Sequence, residues 1–187
     1  LQTLKPVKAK AEILFVDGGS TDRTLSLIPK EYRVLRGVKG RARQMNLGAE
    51  KSSGDVLFFL HCDSELPADA IEQIQTVMRK YRAGCVRIAF HSKNIWMKCC
   101  QLISNQRIKD RKIMFGDQGI FIRRKLFFEI GGFPDLPIME DYQFSLTLKE
   151  MGVRLGIAGK RIYTSDRRFA RGGRLRVMWK MNRLRAM

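Results

Sequence analysis

Two acids stand where carboxylates commonly meet ligands. Asp17 ends the apolar run Ile13-Leu14-Phe15-Val16 and is followed at once by Gly18-Gly19-Ser20-Thr21-Asp22, and Asp63 lies at the end of a second run, Leu60-His61-Cys62-Asp63-Ser64. The carboxyl ends of buried strands border the crevice in which open α/β sheets bind ligands. Asp17 is suited there to accept hydrogen bonds from a base or sugar hydroxyl, while Gly18 and Gly19 let backbone approach a bound molecule, with Gly19 and Ser20 as binding candidates beside it. Asp63 is the candidate for Mg²⁺ or Mn²⁺ held against a diphosphate, because these hard ions keep water and phosphate ligands and need few protein groups. His61 either joins that ion or serves as a packing residue. The plainer alternative for the Asp17 stretch is a tight turn with a helix cap at Ser20 or Thr21.

Between the two acids, Gly37-Val38-Lys39-Gly40-Arg41-Ala42-Arg43-Gln44-Met45-Asn46 sets a glycine loop and three cations at a helix start, an arrangement that suits a pyrophosphate. A solvated basic helix face reads equally well, with Arg43 and Asn46 on one side. Glu140-Asp141 opens a helix after Pro137, where two acids are also simply good partners for the helix dipole.

Strand-like runs at Ile13 to Val16, Tyr32 to Leu35 and Val56 to Leu60 alternate with helical stretches after Thr21, over Ala42 to Lys51, and from Pro67 on. This is the alternation of an α/β domain. Further on, Val86, Ile88 and Phe90 alternate like a half-buried strand. Ile95 to Ile108 reads as a helix with Trp96, Cys99, Cys100 and Ile103 inward, and Trp96 and Met97 as core. Gly119 to Ile122 reads as a strand, Leu126 to Ile130 as a short helix stopped by Gly131-Gly132, and Glu140 to Met151 as a helix. With no repeat or linker, 1–187 is expected to be one domain. Leu1-Gln2-Thr3-Leu4 reads as the tail of a helix whose upstream part is missing.

The net charge is +18, and half of it falls in residues 160–187, which carry ten Lys or Arg and one acid, Asp166. Such a surplus implies polyanionic partners: nucleotide phosphates, nucleic acid or an anionic membrane. Residues 171–187 form a basic, partly amphipathic segment suited to an anionic bilayer. A nucleic-acid-binding module would explain the arginines but leaves Asp17, Asp63 and Asp141 without a role. Four cysteines without paired metal-ligand spacing point to a reducing cytosol. No apolar run approaches the ~20 residues of a membrane span.

Val16-Asp17-Gly18-Gly19-Ser20-Thr21-Asp22, Gly40-Arg41-Ala42-Arg43-Gln44-Met45-Asn46-Leu47-Gly48, Phe59-Leu60-His61-Cys62-Asp63-Ser64, Phe115-Gly116-Asp117-Gln118-Gly119 and Gly131-Gly132-Phe133 with Glu140-Asp141 resemble, in that order, family 2 glycosyltransferases. The likeness is strongest to the bacterial radical-SAM/selenodomain-associated branch. It implies a GT-A fold, a Rossmann-like three-layer sandwich with a mostly parallel mixed sheet. It implies inverting, metal-dependent transfer from a UDP- or GDP-sugar to a glycan or lipid-linked acceptor, in the cytoplasm or at the inner membrane face. In that frame Asp17 and Arg43 contact the nucleotide and Asp63 the divalent ion. Asp117 and Gln118 contact sugar or acceptor, Glu140 belongs to the acidic pair, and Asp141 is the base. His61 and Gly18 stand where the family usually has acids, and the family's first strand, ending Pro-x-x-Asn-Glu, is absent. On the same fold, a nucleotidyltransferase or a non-catalytic nucleotide-sugar binder is the alternative.

Overall fold

The computed structural model describes residues 1–92 and 94–164. The basic segment 171–187 and Asp166 lie outside the described residues. At the start, Gln2–Val7 is a short 3-10 helix whose Val7 is buried with Leu66 and Ala70.

The apolar run before Asp17 forms β1 (Leu14–Asp17), which lies parallel to β2 (Arg33–Arg36). A second, five-stranded sheet has the order β3 (Val56–Phe59), β6 (Ile120–Arg123), β5 (Ala83–Phe90), β7 (Leu155–Thr164) and β4 (Ser64–Glu65). Its longest ladder, β5 with β7, is parallel, and β6 and β4 join antiparallel. Helices α1 (Arg41–Lys51), α2 (Ala70–Met78), α3 (Ile95–Arg111), α4 (Arg124–Glu129) and α5 (Glu140–Glu150) complete the mixed α/β architecture that the alternation implies.

The strand period of two sorts the core into layers. Ala83, Cys85, Ile120 and Ile122 pack with Ile108, Leu126 and Phe127 on one face, and Val86 and Phe121 pack with Ile74 and Met78 of α2 on the other. Thus β5 is covered on both faces, not half-buried as its alternation suggests. Past Cys85, where its pairing with β6 ends, Asn105 of α3 takes the strand's place. Its Oδ1 accepts from Ile88 N at 2.9 Å and its Nδ2 donates to Ile88 O at 3.0 Å. A buried edge is thereby satisfied by a side chain.

Three expectations change. After Thr21 there is only a 3-10 turn, Leu25–Leu27, because Ser20 is engaged by Asp17 and Leu27 has nothing to bury against. In α3 the core side is Met97 and Ile108, while Trp96, Cys99 and Ile103 face out. The pattern 96, 99, 100, 103 is a true helical stripe, but it is the wrong one of two. Third, β7 is a strand that no apolar run announces, since Gly156, Gly159, Lys160 and Arg161 interrupt its apolar residues.

Close contact within the β5–β7 ladder depends on glycine. A Cβ on Gly84 would lie 2.2 Å from the carbonyl oxygen of Gly156, which stands directly opposite. Backbone must then shift in the middle of the sheet. Gly84→Ala is expected to cost about 2–3 kcal/mol. That would lower the thermal midpoint by roughly 5–10 °C in a calorimetric scan.

Candidate active site

Four phenylalanines bind the separate site segments into one body. Phe59 of β3 lies two residues before His61, Phe133 follows the Gly131-Gly132 turn, and Phe144 sits one helical turn into α5. With Phe127 of α4 their ring centroids lie 4.3 to 5.9 Å apart. Asn46 of α1 adds a polar tie. Its Nδ2 donates to Phe133 O at 2.8 Å, and its Oδ1 accepts from Phe133 N at 2.9 Å. The strand end, the basic helix start and the acidic helix start therefore meet by packing.

At the meeting point lie Glu140 and Asp141, 1% and 5% exposed. Their helix follows Met139, which takes a left-handed backbone conformation at φ 68° that turns the chain sharply into α5. Asp141 Oδ2 accepts from the backbone N–H of Gly116 at 2.8 Å, and Oδ1 from that of Tyr142 at 2.7 Å. Burial nonetheless raises the Asp141 carboxyl above its ordinary value, opposed by the Gly116 hydrogen bond and reinforced by the adjacent Glu140 charge. The His61 ring lies against Gly116, where an added Cβ would stand 2.8 Å from Nε2 and 3.4 Å from Asp141 Oδ2. Only glycine lets strand end, turn and acid approach so closely. Burial, then the nearby Arg41 cation, lowers the His61 pKa, so the imidazole is neutral near pH 7.

Arg41 is the cation at this cluster. Its Nη2 lies 2.8 Å from Glu140 Oε1, while Glu140 Oε2 is buried without a hydrogen-bond partner among the described residues. Arg43, two residues on, points away and grips exposed Asp135, with Nε donating at 2.8 Å to both carboxylate oxygens and Nη2 at 2.7 Å from Oδ2. Residues two apart on a helix face opposite ways, so only one arginine can reach the acids. Sequence reasoning singled out the other one. Arg41→Ala is expected to lower stability by about 1–3 kcal/mol by stranding a buried carboxylate, discounted because the arginine is half exposed. The double variant Arg41→Ala/Glu140→Gln should recover part of that loss in urea titrations.

The remaining expected residues divide. Asp17 is buried at the end of β1, and its carboxylate accepts from Gly19 N, Ser20 N and Ser20 Oγ. The Ser20 hydroxyl, then its N–H, holds the Asp17 carboxyl below the usual range. This ionised side chain therefore shapes the Gly18–Ser20 turn. Gln44 of α1 donates to Val16 O at 3.0 Å beside that turn, a link absent from the expectations. Gln118 is fully buried. Its Oε1 accepts from Phe115 N at 3.0 Å and its Nε2 donates to Ser104 O at 3.3 Å, so it braces the turn instead of facing a ligand. Asp117, beside it, is partly exposed.

Asp63 lies exposed in the turn closed by Ser64 N donating to His61 O at 3.1 Å. Among the described residues, no three His, Cys, Asp or Glu side chains form a metal cage. An ion held mainly by phosphate and water needs only one or two carboxylates, and exposed Asp63 beside neutral His61 fits that kind of seat.

This fold is that of the GT-A nucleotide-sugar transferases. The S. aureus TarS fragment 1-349 in complex with UDP-GlcNAc matches with TM-score 0.64 and 15% identity over 85% of this chain and 50% of that one. GalNAc-T7 with UDP, GalNAc and Mn²⁺ matches at 0.61 and 18%, over 86% and 39%. The mannosyltransferase PcManGT of Pyrobaculum calidifontis, with GDP-Man and Mn²⁺, matches at 0.57 and 20%, over 83% and 47%. The chain spans about half or less of the length of these structures. No curated protein sequence matches it. The chain belongs to glycosyl transferase family 2, whose profile matches residues 1–131.

Proposed function

We propose that this protein is an inverting glycosyltransferase that moves a sugar from a nucleotide-diphosphate donor to an acceptor hydroxyl, with Asp141 as the base. The observation that carries the reading is the burial of Asp141 against Gly116 and His61, beside Glu140 and Arg41, in a family 2 chain. A carboxylate made more basic by burial is suited to take the acceptor proton. The acceptor oxygen then forms the new bond to the anomeric carbon as the bond to the diphosphate breaks from the opposite face. The nucleoside diphosphate leaves with the electron pair. No covalent sugar–enzyme step is required.

Glu140, tied to Arg41, keeps an oxygen without a partner among the described residues, suited to a hydroxyl donor. The Asp17 turn, with Gly19 and Ser20, would border the nucleotide, and the exposed Arg43 would reach it by exchanging Asp135 for a phosphate. Asp63 would hold Mg²⁺ or Mn²⁺, with His61 as a neutral neighbour; when bound, such an ion stabilises the charge of the departing diphosphate. Asp117 would face sugar or acceptor, and Gln118 keeps the turn in place. UDP and GDP donors are the first to try, since TarS and PcManGT are solved with UDP-GlcNAc and GDP-Man. The five motifs support a reading within the radical-SAM/selenodomain-associated branch, with a cell-envelope glycan or lipid-linked acceptor on the cytoplasmic side as the proposed partner. Among the described residues no helix is long and apolar enough to cross a membrane.

Incubation with UDP-, GDP- and dTDP-sugars and Mn²⁺, followed by mass spectrometry of a crude envelope extract, tests the reading. A sugar-mass addition with release of nucleoside diphosphate is expected. Pyrophosphate release, or binding without transfer of sugar even to water, would replace it with the nucleotidyltransferase or binder.

A further inference from the structure

Helix α3 carries two apolar faces. Met97 and Ile108 are turned into the core. On the opposite side Ile95, Cys99, Leu102 and Ile103, spaced i, i+4, i+7 and i+8, form a second stripe that Trp96 widens. Exposure there is 67% for Ile95, 56% for Trp96, 65% for Leu102 and 58% for Ile103. Grouped apolar side chains of this size mark an interaction surface, unlike isolated ones.

Charge decides what the stripe meets. Lys98 and Lys109 border it on one side and Arg111 on the other, and the helix carries four cations against the single acid Asp110. A second copy of this +18 chain would set cations against cations, and so would the arginine-rich residues 174–187. An anionic bilayer supplies both complements, an apolar boundary for the stripe and negative headgroups for the cations. Tryptophan at the margin suits the headgroup level. We propose that α3 is a membrane-docking surface that lies on anionic lipid, with Ile95, Trp96, Leu102 and Ile103 inserted at the headgroup boundary.

The helix also holds the site. Ser104 O accepts from Gln118, and the Arg107 guanidinium covers the Phe115 ring at 4.1 Å, so α3 braces the turn whose Gly116 N–H bonds Asp141. Docking would keep that turn within about one helix diameter of the lipid, ~10–12 Å. A membrane-borne acceptor follows from this placement, and that extension rests on the transferase reading; the docking does not.

Flotation of the full chain with phosphatidylglycerol-containing vesicles, against pure phosphatidylcholine vesicles, tests it without any activity assay. Binding to the anionic vesicles alone is expected, weakened at high salt. Trp96→Ser/Leu102→Ser/Ile103→Ser should cut the partition coefficient at least about tenfold with an unchanged thermal midpoint, because these side chains are exposed. In a Trp179→Phe background, Trp96 fluorescence should shift to the blue on vesicle addition. Absent binding, or binding untouched by the triple substitution while deletion of residues 174–187 abolishes it, would overturn the proposal. So would a concentration-dependent dimer that the triple substitution dissolves.

Discussion

Asp141→Asn is expected to lower sugar transfer by about 10²–10⁴-fold, the usual contribution of a positioned general base. The fold should survive. Asparagine keeps an oxygen to accept from Gly116 N, and its amide loses only the bond to its own neighbour Tyr142 N. Burial penalises an ionised carboxylate here, so the neutral amide removes that penalty. Donor-dependent thermal stabilisation should therefore persist while release of nucleoside diphosphate collapses. A drop below tenfold would move the base elsewhere.

The same group sets a pH dependence. The Asp141 pKa is raised in the fold above its ordinary 3.8. Between the unfolded and folded values the native state binds the extra proton, so stability falls as pH rises through that window. Catalysis by Asp141 as the proposed base runs the other way, because a general base works only when ionised. The acid limb of the rate profile should therefore lie above the ordinary carboxylate range, and the stability component should vanish in Asp141→Asn. A limb near 3.8 would contradict the buried position.

Asp63→Ala is expected to abolish metal-dependent donor binding at little cost to the free protein. At a donor concentration 100 times Kd, binding stabilises a protein by about 2.7 kcal/mol. In a chain of this length that is roughly 5–10 °C in midpoint. Because Asp63 sits exposed in a turn, its removal should change the stability of the unliganded protein by about 1 kcal/mol at most, less than donor binding adds. Titration with the donor found active, with and without Mn²⁺, reads both quantities. A Mn²⁺-dependent shift surviving the substitution would assign the ion to other groups.

Much of the frame was legible from local signals. Strands β1, β2 and β3, helix α1 and the Gly131-Gly132 and Gly152 stops follow from apolar runs, helical spacing and glycines that take positive φ. The five motifs identify the family, which the match over residues 1–131 bears out. The site was legible as a set of candidates, with Asp63 and the Glu140-Asp141 pair at strand and helix ends. Which face of α3 turns inward was not legible, because both faces are apolar and periodicity alone cannot rank them. Nor was β7, whose glycines and cations hide a strand that only its parallel partner β5 defines.

The sequence by itself determined most of the elements, the family and the inventory of acids and cations, since these depend on residue type and on spacing within a few positions. Tertiary structure decided the assignments. Arg41 and not Arg43 meets Glu140, because α1 packs with one side toward Phe133 and α5. Gln118 is buried between its own turn and Ser104 of α3, while Asp141 is buried at Gly116 and the His61 ring. These outcomes rest on contacts between segments tens of residues apart, where burial, shared hydrogen bonds and the four-ring cluster fix what no local pattern encodes.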